Sequence, residues 1–258
     1  MSQQILSKDE SSFLEKVLSN QYMKTLQRRI DNWVEKSENP QSGWEIVLDH
    51  LDEVLNDFQD DFGKILDIRL ASGEISNKKQ AIRSISGNLL ANIIIYIFIQ
   101  NKLVSNIPQE VFINNKSVIP DFEEVFTIRI EEKLEKLNIN LVIYSLKENS
   151  ELNKCIALFP LQSSENQFKK ACQWKLLMEI AMSDCEVRDK YDISYDPPTV
   201  PLVCFVTVNF YNEINNPQHR GMFKFFDRAF IGKPIDPQAT NFISPLSSLI
   251  EFVNEKLV

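Results

Sequence analysis

The stretch "CIALFPLQSSENQFKKACQW", Cys155 to Trp174, decides how this chain folds. Ile156 to Phe159 are a continuous apolar run, the pattern of a strand buried on both faces. Gln162, Ser163, Ser164, Glu165, Asn166 and Gln167 make a polar turn. An amphipathic helix follows over roughly Glu165–Met182, with Lys169 and Lys170 near its start and Trp174, Leu177, Ile180 and Ala181 available for burial. Strand, polar turn and helix in succession form a common frame for chemistry. This turn carries mostly amides, which do no acid–base work.

Working outward, "INLVIYSL" (139–146) and "KCIALFPL" (154–161) read as two strands joined by the hairpin-like "KENSELN". Downstream, "PLVCFVTVNF" (201–210) is the strongest strand pattern. The aromatic run "MFKFFDRAFI" follows, then a loop with Pro234 and Pro237, then a closing helix carrying Leu246, Leu249, Ile250, Phe252 and Val253. Upstream, "VFINNKSVI" (111–119) reads as a strand, "VFTIRI" (125–130) as strand or helix, and "EEKLEKLN" as helix.

The first 70 residues read as helix. Phe13, Val17, Leu18, Met23, Leu26 and Ile30 form one stripe, and "SENPQSG" breaks it. Ser42 is placed to cap a second helix with Trp44, Val47, Leu48, Leu51, Leu55 and Phe58, whose acids from Asp49 to Asp61 form a solvated face. A third helix begins near Ser76. It is basic at first and apolar nearly all round over Leu89–Ile99, so it belongs in the core. The expected architecture is α/β, a mixed β-sheet of about five strands flanked by α-helices, with an N-terminal helical extension. With no linker-like segment, the expectation is a single domain over 1–258, with the extension over 1–73 and the core over 74–258.

Composition narrows the function. The formal net charge of −8 disfavours a general polyanion binder, though a local basic patch escapes such an average. Cys155, Cys172, Cys185 and Cys204 lack any CxxC spacing, and His50 and His219 lie far apart. Buried reduced thiols are therefore expected, and no metal site. Neither GxGxxG nor GxxxxGK[ST] occurs, which removes the usual phosphate loops, and HExxH is missing too. The eleven apolar residues from Leu89 to Ile99 are too few to cross a bilayer, and "MSQQILSKDESS" is too polar for a secretory signal. A cytoplasmic protein with no membrane partner is expected.

Taken together, "NKKQAIRSISGNLL", "NINLVIYSL", "CIALFPLQSSENQFKKACQWKLL" and "FVTVNFYNEI…R…FFDRAF" resemble type II restriction endonucleases of the PD-(D/E)xK superfamily. The closer resemblance is to the subset whose second strand ends in a Ser-Cys-Lys-Thr-Ser-Leu-Arg-Glu-Arg-like motif. It covers roughly residues 74–232. Such enzymes hold Mg²⁺ on carboxylates at the first strand and place a lysine at the end of the second. Here the acidic pair is replaced by Asn138 and Asn140, and Ser-x-Lys by Pro160-Leu161-Gln162. The glutamate after the lysine falls at Gln167, with Glu165 two residues away.

The resemblance thus implies a restriction-endonuclease-like mixed β-sheet flanked by α-helices, in a DNA-binding homologue with a degraded active site and no cofactor. Its degenerate catalytic positions are Asn138, Asn140, Gln162, Glu165 and Gln167. Candidate DNA contacts are Lys78, Lys79, Arg83, Lys169, Lys170, Lys175, Arg188, His219 and Arg220; a solvated helix face accounts for the helix lysines equally well, and a plain turn for His219 and Arg220. Double-stranded DNA is the expected partner, together with a homodimer or a heterodimer with a catalytic subunit. One alternative is an active Mg²⁺-dependent endonuclease drawing on Pro120-Asp121 with Glu131-Glu132-Lys133, or on Lys147 and Glu148. The other is a protein–protein module using Phe223, Phe225, Phe226 and Phe230.

Overall fold

The computed structural model describes residues 6–115, 118–139, 141–160, 165–208, 221–235 and 243–258. Its centre is a six-stranded mixed sheet. The strands are β1 (Val111–Asn114), β4 (Leu141–Leu146), β5 (Leu152–Pro160), β7 (Leu202–Thr207), β8 (Arg228–Ile231) and β9 (Ile243–Pro245), adjacent in that order. β4 runs antiparallel to both its neighbours, β1 and β5, while β5, β7, β8 and β9 run parallel to one another. Parallel pairing needs a crossover. Helix α7 (Glu165–Met182) supplies it between β5 and β7, as the opening stretch predicts.

Side-chain alternation divides the core between the two faces of the sheet. Leu141, Ile143, Ile156, Leu158, Cys204, Val206 and Phe230 pack with the N-terminal helices and with α9 (Ser248–Leu257). Val142, Tyr144, Cys155, Ala157, Phe159, Val203 and Phe205 pack with α7 and with a second, three-stranded sheet. That sheet is ordered β3 (Lys133–Lys136), β2 (Thr127–Ile130), β6 (Ile193–Ser194). Between α7 and β6 stands the short α8 (Glu186–Lys190), and before β2 the single turn α6 (Phe122–Val125).

The small sheet corrects one expectation. "EEKLEKLN" does not form a helix: Glu131 and Glu132 are the two-residue turn of the β2–β3 hairpin, and Glu131 takes φ 52°. Such tight turns need the left-handed region. A helical charge pattern is overridden because Ile128 and Ile193 pair this segment into the α7-side core. Among the described residues the larger sheet has six strands, in keeping with the expected mixed sheet of about five.

The N-terminal part is helical as expected, with different boundaries. α1 (Lys8–Leu18) begins at a reciprocal Ser7–Glu10 capping box, and Asn20 caps α2 (Gln21–Glu35). Asn39, not Ser42, caps the next helix, α3 (Pro40–Ile46), which has Pro40 in its first turn. One turn of 3₁₀ helix leads into α4 (Leu51–Ala71). Asn77 then caps α5 (Lys78–Leu103), whose apolar half is buried.

Two contacts seat this layer on the sheet. Lys102 of α5 and Glu10 of α1 are 0% and 1% exposed at their side chains. Lys102 Nζ donates to both Glu10 carboxylate oxygens at 2.9 and 3.0 Å and to the carbonyl of Val111, the first residue of β1, at 2.7 Å. At the other end of the sheet, the Asp52 N–H donates to the Gly232 carbonyl at 3.1 Å, and Asp49 accepts from the Ser247 N–H and hydroxyl. Gly232 has no room for a side chain. A Cβ there would lie 2.9 Å from Val208 Cγ1 and 3.0 Å from the Leu48 carbonyl oxygen.

Removing one partner of the buried pair strands the other without solvent. Lys102→Met is expected to cost about 3–5 kcal/mol in urea unfolding, and the double variant Lys102→Met/Glu10→Leu is expected to recover much of that loss.

Candidate functional site

The sheet topology gathers particular chain ends along one edge. The parallel strands β5, β7, β8 and β9 all finish there, and antiparallel β4 starts there. Leu141 pairs with Leu158, and Pro160 with Val206. β1 also ends at this edge, where Asn114 lies opposite Val142. Chain order therefore carries the residues just before Leu141 and just after Pro160 to neighbouring places.

Asn138 sits in that approach to β4. It is exposed between Leu137 and Ile139, both of which are buried on the α7 side. Asn140 and Gln162 lie outside the described residues. Glu165 and Gln167 fall in the first turn of α7, and only their backbone is described. The edge also holds two buried polar residues that sequence reasoning did not single out, Asn114 and Thr207. Asn114 accepts the Asn115 N–H at 2.8 Å. Their signal was only a polar residue closing an apolar strand.

The proposed phosphate contacts do not form one patch. Lys169 and Lys170 are exposed in the second turn of α7, close to the edge where β5 ends. Lys175 is a correction. It is only 5% exposed, its ammonium binds Asp227 at 3.0 Å and Glu179 at 3.6 Å, and it has no surface for a phosphate. Asp227 in turn accepts the Val203 N–H at 2.7 Å, so this network fastens the start of β7 to the start of β8, opposite the candidate edge. Arg188 lies beyond the C-terminus of α7, which is about 20 Å of helix away from Lys169, and pairs with Asp184 and Asp189.

The other cations are separate again. Lys78 pairs with Asp67, and Lys79 is exposed in the first turn of α5. For Arg83 only the backbone is described. His219 and Arg220 lie outside the described residues.

The alternative carboxylate sets fare no better as a single site. Lys147 and Glu148 lie in the hairpin at the opposite edge, where Lys147 pairs with Glu151. Glu131, Glu132 and Lys133 belong to the small sheet's hairpin, and Asp121 precedes α6 in a left-handed conformation. Among the described residues, no group of three or more His, Cys, Asp or Glu side chains is placed to hold a metal ion. The aromatic interface is also revised. Phe223, Phe226 and Phe230 are buried in the two cores, and Phe225 packs against the α7-side core. Phe168 and Phe205 surround Phe223 and Phe226 with ring centroids 5.0–5.6 Å apart.

With the strand order, the α7 crossover and the shared edge in view, the comparison with known families is decisive. Residues 114–252, more than half of the chain, match the family model described as BsaWI restriction endonuclease type 2. The chain belongs to this restriction-endonuclease family. The matched region runs from the end of β1 into α9 and contains the whole candidate edge. No curated protein matches the chain. Within this restriction-endonuclease-like fold, no helix among the described residues is long and apolar enough to cross a membrane.

The thiols complete the inventory. All four are free, and Cys155, Cys172 and Cys204 are buried. Burial pushes Cys155 and Cys172 up to about 12 and raises Cys204 further still. Cys185 is partly exposed, and hydrogen bonds from Ser183 and the α8 backbone hold its pKa below the usual thiol value. Under native conditions Ellman's reagent should therefore modify Cys185 first, with the other three reacting only on unfolding. Lys175→Ala should lower unfolding free energy by about 1–3 kcal/mol, measured in urea, by breaking a largely buried charged hydrogen bond.

Proposed function

We propose that this restriction-endonuclease family member is a DNA-binding protein of the PD-(D/E)xK type whose catalytic positions have become amides. One observation carries the reading. The start of β4 and the end of β5 lie side by side, at Leu141 and Leu158, and the residues that flank them in the chain are Asn138, Asn140, Pro160 and Gln162. Mg²⁺ takes hard, preferably charged oxygen donors, and an amide carbonyl is a poor substitute. Gln162 brings no positive charge to offset a phosphate. These residues do not fit a catalytic metal, and the chemistry left to this edge is recognition.

Amides recognise DNA well. Asn and Gln pair bidentately with adenine in the major groove, and they donate to phosphate oxygens. Lys169 and Lys170 stand next to this edge at the start of an 18-residue helix, where the helix dipole also favours an anion. The net charge of −8 confines any attraction for DNA to such local groups.

A second reading, an active enzyme with displaced carboxylates, has one observation in its favour. Asp49 and Asp52 meet the sheet where β8 and β9 end, on the same edge. Asp52 Oδ1 is buried with no hydrogen-bond partner. Glu45, near Asp49 and Glu251, has its pKa raised by burial and by those two charges. The first reading stands ahead because Asp49 is fully engaged by Ser247 and the family positions themselves hold amides.

Gel-shift titration and plasmid cleavage separate the two. Duplex DNA should bind with an affinity that falls as salt rises, and Lys169→Ala/Lys170→Ala should reduce the log–log salt slope by about two. No cleavage is expected in Mg²⁺ or Mn²⁺. Defined fragments, lost on Asp52→Ala or Asp49→Ala, would establish the active reading instead. Failure to bind any duplex at high protein concentration would end the DNA reading altogether.

A further inference from the structure

The open face of the small sheet carries its charges in two rows. β2 is the central strand; Ile128 packs inward, so Thr127 and Arg129 face outward. Thr127 pairs with Lys136 of β3, and Arg129 pairs with Leu134 of β3 and Ser194 of β6. Because β6 is antiparallel to β2, the chain beyond Ser194 carries Asp196 toward the Thr127 row. α6, just before Thr127, brings Glu123 and Glu124 to the same end. Together these residues line one groove of about 410 Å³.

The groove is therefore acidic at the Thr127 end and basic one row along, and the chain matches only part of this charge. Lys136 is neutralised by Glu123. Among the described residues the Arg129 guanidinium has no such partner, nor do the carboxylates of Glu124 and Asp196. Thr127 Oγ1 is shielded from water and has no hydrogen-bond partner. A hydroxyl left in that state is destabilising, and its place in a binding groove gives it a use. Leu134, 56% exposed beside Arg129, gives the basic row an aliphatic wall.

We propose that this groove binds an extended peptide segment of a partner protein, one with a basic residue and an acidic residue two positions apart. Alternate residues of an extended chain lie about 6.6 Å apart on one face. A peptide laid along β2 therefore keeps step with Thr127 and Arg129. Its basic side chain enters between Glu124 and Asp196, and the Thr127 hydroxyl accepts from it once the shielding side chains turn to the ligand. Its acidic side chain takes the Arg129 guanidinium and rests its methylenes on Leu134. The residue between them points away from the sheet. Three carboxylates against two cations leave the groove net negative, which disfavours a nucleic acid. Lining side chains this exposed suit a chain lying across the face better than an enclosed small molecule. The groove is separate from the edge where β4 begins and β5 ends, and the inference does not depend on the DNA reading.

Fluorescence anisotropy with synthetic peptides and the full chain tests this. The probe is a fluorescein-labelled peptide carrying Arg-Val-Glu at the centre of a Ser/Thr frame, and it should bind saturably in the micromolar range. Peptides with Arg-Val-Arg, Glu-Val-Glu or Arg-Glu-Val at the centre should each bind roughly tenfold more weakly or worse; the last has its charges on opposite faces of the extended chain. Arg129→Glu should lose the Arg-Val-Glu peptide by a similar factor and gain Arg-Val-Arg, and Glu124→Lys/Asp196→Lys should gain Glu-Val-Glu. All three substituted residues are exposed, and thermal melts check that each variant is folded. No saturable binding of the Arg-Val-Glu peptide overturns the proposal. So does equal affinity for Arg-Glu-Val, displacement by free arginine as effective as by unlabelled peptide, or a preference that the charge reversals leave unmoved.

Discussion

The Lys102–Glu10 pair fixes the relation between the helical layer and the sheet. Glu10 is committed twice. It closes the capping box at the start of α1 through the Ser7 N–H and hydroxyl, and it receives the Lys102 ammonium. Lys102 also donates to the first carbonyl of β1 and lies 4.5 Å from the centroid of the Phe112 ring. Helix α1 thus meets α5 and the neighbouring β1, some 90 residues on, at one charge. Burial pushes the Lys102 pKa down, and the Glu10 carboxylate opposes that shift. Such a pair is a weak source of net stability and a strong constraint on arrangement, since an alternative packing would leave a bare charge in the core.

The consequence reaches the opposite edge of the sheet. Lys102 holds the helical layer where β1 begins; the Asp52 N–H and Asp49 hold it where β8 and β9 end. Gly232 shows how closely the two surfaces meet, because the Leu48 carbonyl occupies space that any Cβ would need. With the ends of β8 and β9 covered, the start of β4 and the end of β5 form the portion of the edge beside α7. The family-matched region and the N-terminal helices thus share one construction: the matched part supplies the edge, and the helices cover one side of it.

Much of this was legible in the sequence because hydrophobic pattern records burial directly. Ile156–Phe159 read as a strand buried on both faces, and each face has its own cluster. The α7 crossover and the N-terminal helices were legible for the same reason. "EEKLEKLN" was misread because its charges are spaced like a helix face, while its fold is set by residues elsewhere, Ile193 above all, which no local window contains. Lys175 was misread for a related reason. Its neighbour in sequence, Trp174, is buried, and so is Lys175 itself, but the partner that makes this tolerable, Asp227, lies 52 residues on. Composition suggests that a lysine is exposed; only tertiary contact shows where one is not. The phenylalanines of 223–230, an interface in the protein–protein alternative, pack into the two cores or against them.

On the proposed reading, the amide positions bear on how a fold keeps its packing when charged site residues are replaced. A catalytic carboxylate in a protein interior is destabilising, since its charge loses water and is compensated only by a metal or a cation. Replacing such a charge by a neutral amide relieves that cost and leaves the strands on either side unaffected. The strands here have kept their apolar faces: Leu141, Val142, Ile143, Ile156, Ala157 and Leu158 are all fully buried. The buried residues set the geometry of the edge, so on the proposed reading it can present hydrogen-bonding groups to DNA in register without the charges that cleavage needs. On this reading, amides at the family's charged positions keep shape and hydrogen bonding while giving up the charge that hydrolysis needs.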